Sequence, residues 1–228
     1  MRDLGVEFEV VKSDAKEVAY PADPERTVLE NALRKGDLRN SSLFTLTSSL
    51  SPILSADTIV WFDNKIYGKP KDLEEAKEFL RTLSGKTHVV FTGVALRCLT
   101  DQNLASRSAY NGGGESSGGS LASRSAYNGG GESSGGSLAS RSAYNEAEQL
   151  LYCERPASTL TAVVKSEVKF RELSEAMIDE YVVRVKPTDR AGAYDIDESG
   201  DLIVESYSGS YENIMGLPVE PLRDWGVV

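Results

Sequence analysis

Histidine occurs once, at His88, and cysteine twice, at Cys98 and Cys153, in a chain of 228 residues. With one imidazole, a Ser-His-Asp arrangement has a single candidate base. His88 stands among apolar strand-type residues with no nucleophile beside it, so a structural histidine is the simpler reading. Two distant cysteines supply neither a metal-ligand pair nor a disulfide framework, which points to a reducing, cytoplasmic setting. Basic charge is also short. With 25 Lys and Arg against 35 Asp and Glu, the net charge is -10, which argues against a broad nucleic-acid-binding surface but leaves room for one local basic pocket. No apolar run approaches the ~18 residues of a membrane span. The opening MRDLGVEFEV lacks the apolar centre of a signal peptide. Neither GxxxxGK[ST] nor GxGxxG occurs. These absences put metal-plus-carboxylate catalysis ahead of covalent catalysis.

What is present begins with a repeat. LASRSAYNGGGESSGGS fills 104–120 and recurs at 121–137, and LASRSAYN appears again at 138–145. The unit has too little apolar surface to offset its ordering entropy and resembles a flexible Gly/Ser linker. Segment 104–145 is therefore expected to be a disordered, tandemly expanded loop inside a single domain made of 1–103 and 146–228.

The flanking sequence alternates strand and helix signals. VEFEVV (6–11) reads as a strand, and PERTVLENALRK (24–35) as a helix with Asp23 as N-cap and proline at its first position. A strand at 55–62 turns at Asp63-Asn64 into KIYG. Asp72 caps a helix that stops at Gly85. Residues 88–99 form a long buried strand whose expected antiparallel partner is 161–170. Ser174 caps EAMIDEYVVRV, 201–210 reads as a strand, and a short helix follows near Pro218. The order indicates an α/β fold, a mixed sheet flanked by helices.

Several residues invite chemistry. Asp57 begins an apolar strand: it is either a solvated strand-end acid, or a metal ligand or base that activates water. Lys69, between Gly68 and Pro70, sits where backbone can pass close to a ligand and an ammonium can face a phosphate; an exposed turn lysine is the plainer alternative. Lys35 ends a helix, where complementing the helix dipole is sufficient reason for a cation. KPTDRAGAYDIDESG (186–200) gathers Arg190, a planar fork for phosphate, with Asp197 and Glu198, which could hold a divalent cation, around small residues. A polar connecting turn explains the same composition.

GVEFEVVKSD (5–14), LRK (33–35), SADTIVWFDNKIYGKPKDLEEAKEFLRTLSGKTHVVFTGVAL (55–96), VKFRELSEAMIDEYV (168–182), PTDRAGAYDI (187–196) and IVESYSGSYENIMGLP (203–218) together resemble the Maf family of nucleotide pyrophosphatases, itself similar to the inosine triphosphatase superfamily. The resemblance implies an elongated mixed sheet, two lobes around a cleft, and hydrolysis of a nucleoside triphosphate to the monophosphate and pyrophosphate with a divalent cation, magnesium or manganese. It implies Asp57 as the carboxylate that activates water or binds metal. The family's acidic position after the first strand is Lys16 here, with Glu17 one residue on, and Glu17 is expected as the second metal-side acid. The resemblance gives Lys35 and Lys69 to the phosphate oxygens. Thr58 beside Asp57 is similar to the branch acting on dTTP and UTP, and a homodimer is common in the family. Asp197 stands where the family usually has a glutamine that helps recognise the base. The family's Ser-x-Ser-Pro-Arg-Arg phosphate loop would precede Met1, and its absence would make a catalytically impaired nucleotide-binding relic the alternative. The repeated LASRSAYN resembles the start of that loop without its arginines.

Overall fold

The computed structural model describes residues 5–37, 52–97 and 159–228. The repeat at 104–145, Cys98 and Cys153 lie outside the described residues.

Helix α1 spans Pro24–Lys35. The Asp23 carboxylate accepts a hydrogen bond from the Arg26 amide, which satisfies one of the four amides that a helix start leaves open. Strand β1, Ile53–Phe62, turns through Asp63 and Asn64 into β2, Lys65–Tyr67. Both turn residues have positive φ, the conformation that a two-residue hairpin requires. Helix α2, Leu73–Leu83, is capped by Asp72, and β3, Thr87–Arg97, pairs in register with β4, Thr159–Phe170. Helix α3 covers Glu175–Val185 and is capped by Ser174. A 3-10 turn at Ala191–Ala193 follows, then the single helical turn α4, Gly200–Ile203, strand β5, Val204–Ser208, and two short helices, α5 at Tyr211–Ile214 and α6 at Glu220–Asp224.

The five strands form one sheet in the order β2-β1-β3-β4-β5, and all four pairings are antiparallel. Helices cover both faces, as the α/β expectation requires. Strand periodicity of two sorts the side chains. Ile59 and Phe91 face α1 and pack on Val28. Val60, Val90, Val168 and Phe170 face the other way and form the main core with Leu80 and Leu83 of α2 and Ile178, Tyr181 and Val182 of α3. Helix α1 lies close on β3 because Gly93 has no side chain: a Cβ there would sit 2.4 Å from the Val28 carbonyl oxygen.

Three expectations are corrected. Residues 6–11 alternate like a strand but form none. Alternation is a local signal, whereas a strand needs a neighbour for its ladder, and no described strand pairs with this segment. Residues 201–203 are helical, and the strand starts at Val204. Adjacent Leu202 and Ile203 both pack on the main core, which a strand does not permit for consecutive residues. The end of the chain carries α5 in addition to the anticipated terminal helix. Ser210 starts α5 by accepting a hydrogen bond from the Asn213 amide.

Candidate active site

A cavity of about 670 Å³ opens where α1, β1, the segment after β2, the 3-10 turn and the end of α5 meet. That volume is in the range of small-molecule sites. Strand β2 pairs only with Val60–Phe62 of β1, so the cavity wraps the edge of β1 from Ala56 to Val60. Side chains from both faces of the strand therefore reach one space. Asp57 points to the α1 side and Thr58 to the opposite side.

Helix α1 contributes Thr27, Asn31 and Lys35, spaced four apart on one face. Lys35 Nζ donates to Asp57 Oδ1 at 2.5 Å and pairs with Glu17 Oε1 at 2.9 Å. Asn31 Nδ2 donates to Asp57 Oδ2 at 3.0 Å and to the Val18 carbonyl, while Asn31 Oδ1 accepts from the Val18 amide. The same asparagine thus orients the carboxylate and ties the 17–20 segment to the helix. Asp57 is 5% exposed. Burial raises its pKa above the usual carboxylate value, although the bonds from Lys35 and Asn31 pull the other way. Burial also works against the Lys35 ammonium, but Asp57 and Glu17 outweigh it and leave the lysine pKa raised. Lysine therefore remains the charged donor of the pair, and Asp57 is a more basic carboxylate than one in water.

Thr58 Oγ1 lies 2.9 Å from Thr92 Oγ1 and donates to the Gly216 carbonyl at 3.3 Å, which joins β1 to the turn after α5. Lys69 lines the cavity, and its ammonium makes no hydrogen bond or ion pair among the described residues. Arg190 lines it too, with Nε on Asp195 Oδ2 at 2.8 Å and one terminal nitrogen on Asp189 Oδ2 at 3.1 Å. Asp57, Lys35, Lys69, Thr58, Arg190 and Glu17 thus share one space. Asp197 is not among the residues lining it. Its amide donates to Asp195 Oδ1, and its carboxylate accepts from the Tyr211 hydroxyl.

Sequence reasoning missed Asn31, Thr92 and Tyr194. For Asn31 a signal existed, because it precedes Lys35 by one helical repeat. Thr92 and Tyr194 are brought in by long-range pairing that no local pattern announces.

Among the described residues there is no group of three or more His, Cys, Asp or Glu side chains arranged to hold a metal. Two carboxylates, Asp57 and Glu17, border the cavity and share Lys35. Magnesium is commonly held by one or two carboxylates plus substrate phosphates, so this donor set fits a cation arriving with a phosphorylated substrate better than a closed protein cage.

The Maf-like protein family model matches residues 1–111 and 138–225 of this chain. The chain belongs to the Maf-like family. The match resumes after a gap at 112–137, inside the repeat. A dTTP/UTP pyrophosphatase of Bacillus cytotoxicus is 33% identical over 95% of this chain and 82% of its own length. Proteins of the same name from Thermotoga maritima and Thermosipho melanesiensis are 31% and 28% identical, over 96% and 98% of this chain and 78% and 87% of theirs. Among the described residues no helix is long and apolar enough to cross a membrane.

Proposed function

We propose that this chain is a nucleoside triphosphate pyrophosphatase acting on dTTP and UTP, which releases the nucleoside monophosphate and pyrophosphate. The observation that carries this reading is the convergence of Lys35, Lys69 and Arg190 with a buried, hydrogen-bonded Asp57 on one cavity. The names of the relatives support the substrate class.

Asp57 accepts the proton of the attacking water, and its raised pKa makes it a better base than a solvated carboxylate. Oxygen attacks the α-phosphorus, the bond to the bridging oxygen breaks, and pyrophosphate leaves with the electron pair. Lys35 has three N–H donors, of which Asp57 and Glu17 take two, leaving one for a phosphate oxygen. Lys69 and Arg190 hold the β and γ oxygens, where charge develops. Asn31 keeps the carboxylate turned toward the cavity. Asp57 and Glu17 would hold a divalent cation, magnesium or manganese, whose contribution is to neutralise phosphate charge. Thr58, which lines the pocket on the opposite side of β1 from Asp57, is assigned to the nucleoside in this reading. The setting is cytoplasmic.

Full-length protein incubated with dTTP or UTP and magnesium or manganese tests the reading. Equal amounts of monophosphate and pyrophosphate are expected. Release of orthophosphate in their place, or no turnover with either cation, overturns it.

A further inference from the structure

The chain between Arg190 and Asp195 carries two consecutive residues of positive φ, Gly192 at 68° and Ala193 at 62°. Glycine adopts this region freely. Alanine does not, and it persists there only when surrounding contacts impose it. Gly192 is also pressed on β1: a Cβ would sit 2.6 Å from Val60 Cγ2. Its amide donates to the Gly68 carbonyl at 3.0 Å, which couples the turn to the residue before Lys69.

Two hydroxyls pin the far side of the turn. Tyr181 Oη, from α3, accepts from the Asp195 amide at 3.0 Å and donates to the Asp195 carbonyl at 3.3 Å. Tyr194 Oη lies 2.9 Å from His88 Nε2. Tyr181 and His88 are buried, and neither lines the cavity. His88 Nδ1 has no hydrogen-bond partner among the described residues. A core position gains nothing from an unsatisfied ring nitrogen that phenylalanine would lack, so the bond to Tyr194 is what the imidazole supplies. What the pinned turn presents to the cavity is Arg190, Ala191, Tyr194 and Asp195, with the Asp195 carboxylate in turn gripping the Arg190 guanidinium.

We propose that Tyr181 and His88 are positioning residues that hold the strained 190–195 turn so that Arg190 meets the polyphosphate of the substrate beside Lys69. The inference rests on the pyrophosphatase reading for the identity of the ligand. It adds that phosphate affinity is set from the core, by hydroxyl bonds to a turn that would otherwise relax. Ala193 is the point where relaxation would begin.

Calorimetric titration of the full chain with inorganic tripolyphosphate tests this without requiring turnover. Tyr181→Phe and Arg190→Ala are each expected to weaken binding about tenfold, and the double variant about tenfold as well, because both act through one guanidinium. Ala193→Gly removes the cost of positive φ, so the turn needs its pins less. Added to Tyr181→Phe it is expected to recover most of the lost tripolyphosphate affinity, while Ala193→Gly alone keeps wild-type affinity and a melting temperature that holds or rises. A merely structural role for Tyr181 predicts no such recovery. Wild-type affinity in Tyr181→Phe overturns the proposal, as does a failure of Ala193→Gly to restore affinity to Tyr181→Phe, and so does a roughly hundredfold loss when Tyr181→Phe and Arg190→Ala are combined. Failure of the wild-type chain to bind tripolyphosphate would instead overturn the site reading on which it rests.

Discussion

Lys35 and Asp57 come from different elements 22 residues apart, and their charged atoms meet at 2.5 Å beneath the cavity surface. Helix α1 aims the lysine, and strand periodicity aims the aspartate at α1. The pair explains how a buried carboxylate can stay usable as a base: burial raises its pKa, and lysine limits the rise. The acid limb of the kcat/KM profile is therefore expected to report Asp57 and to lie above the usual carboxylate range of ~4. Lys35→Gln removes a partner that lowers the Asp57 pKa, so the acid limb should move to higher pH as the rate falls. A limb that stays in place, measured across pH 4 to 8, would assign it to another group.

Asp57→Asn preserves size and can still accept a hydrogen bond, but it cannot take a proton from water. Turnover is expected to fall by about 10³-fold or more, within or beyond the usual span for a positioned general base. The far-ultraviolet dichroism should match the wild type. Near-full activity in this variant would show that the base lies elsewhere.

Much of this site was legible before the fold. The Asp23 and Asp72 caps and the Asp63-Asn64 turn are local chemistry, and each formed as their residue types dictate. Lys35 ends α1 and Lys69 follows β2 closely, where motif reading looks first, whereas Asp57, read as the acid that begins a strand, is buried in the middle of β1 because the strand starts earlier, at Ile53. The pins did not announce themselves. Tyr181 reaches Asp195 across 14 residues and His88 reaches Tyr194 across 106, distances that only the packed core closes. Residues 6–11 erred in the opposite sense: a correct local pattern met no described partner strand.

Lys69 differs from the other two cations in the cavity because its ammonium is committed to no carboxylate among the described residues. It is free to bind a phosphate without first surrendering an ion pair. Lys69→Ala should raise the KM for the triphosphate by about 10- to 100-fold, the usual worth of a charged hydrogen bond. Affinity for the unphosphorylated nucleoside should not change. Equal losses for both ligands would place Lys69 away from the phosphates.

Gly93 joins stability to activity. It pairs with Asp57 across β1 and β3, and a Cβ on it would run into the main chain of α1 at Val28 and Leu29. In Gly93→Ala the new methyl meets main chain, not a side chain that can swing away, so the helix must move. A loss of about 3 kcal/mol is expected, at the upper end of overpacking costs. Lys35 and Asn31 ride on that helix, so kcat should fall in the variant at temperatures where it is still folded. Denaturant titration with activity on the same samples checks both.

His88 makes the folded state sensitive to acid. Burial depresses its pKa from 6.5 to about 3. Above pH 6.5 the imidazole is neutral in both folded and unfolded chains and contributes no pH dependence. Between pH 6.5 and 3 the unfolded chain takes up a proton that the folded chain refuses, so stability falls as pH falls. From pH 7 to pH 4 this single group should remove about 3 kcal/mol, at 1.36 kcal/mol per unit. His88→Phe has no proton to bind in either state. Its stability at pH 7 should be lower, because Tyr194 loses its partner, but its unfolding free energy should change less between pH 7 and pH 4 than that of the wild type. Parallel losses in the two proteins, measured by urea unfolding at each pH, would mean that the imidazole is protonated in the fold.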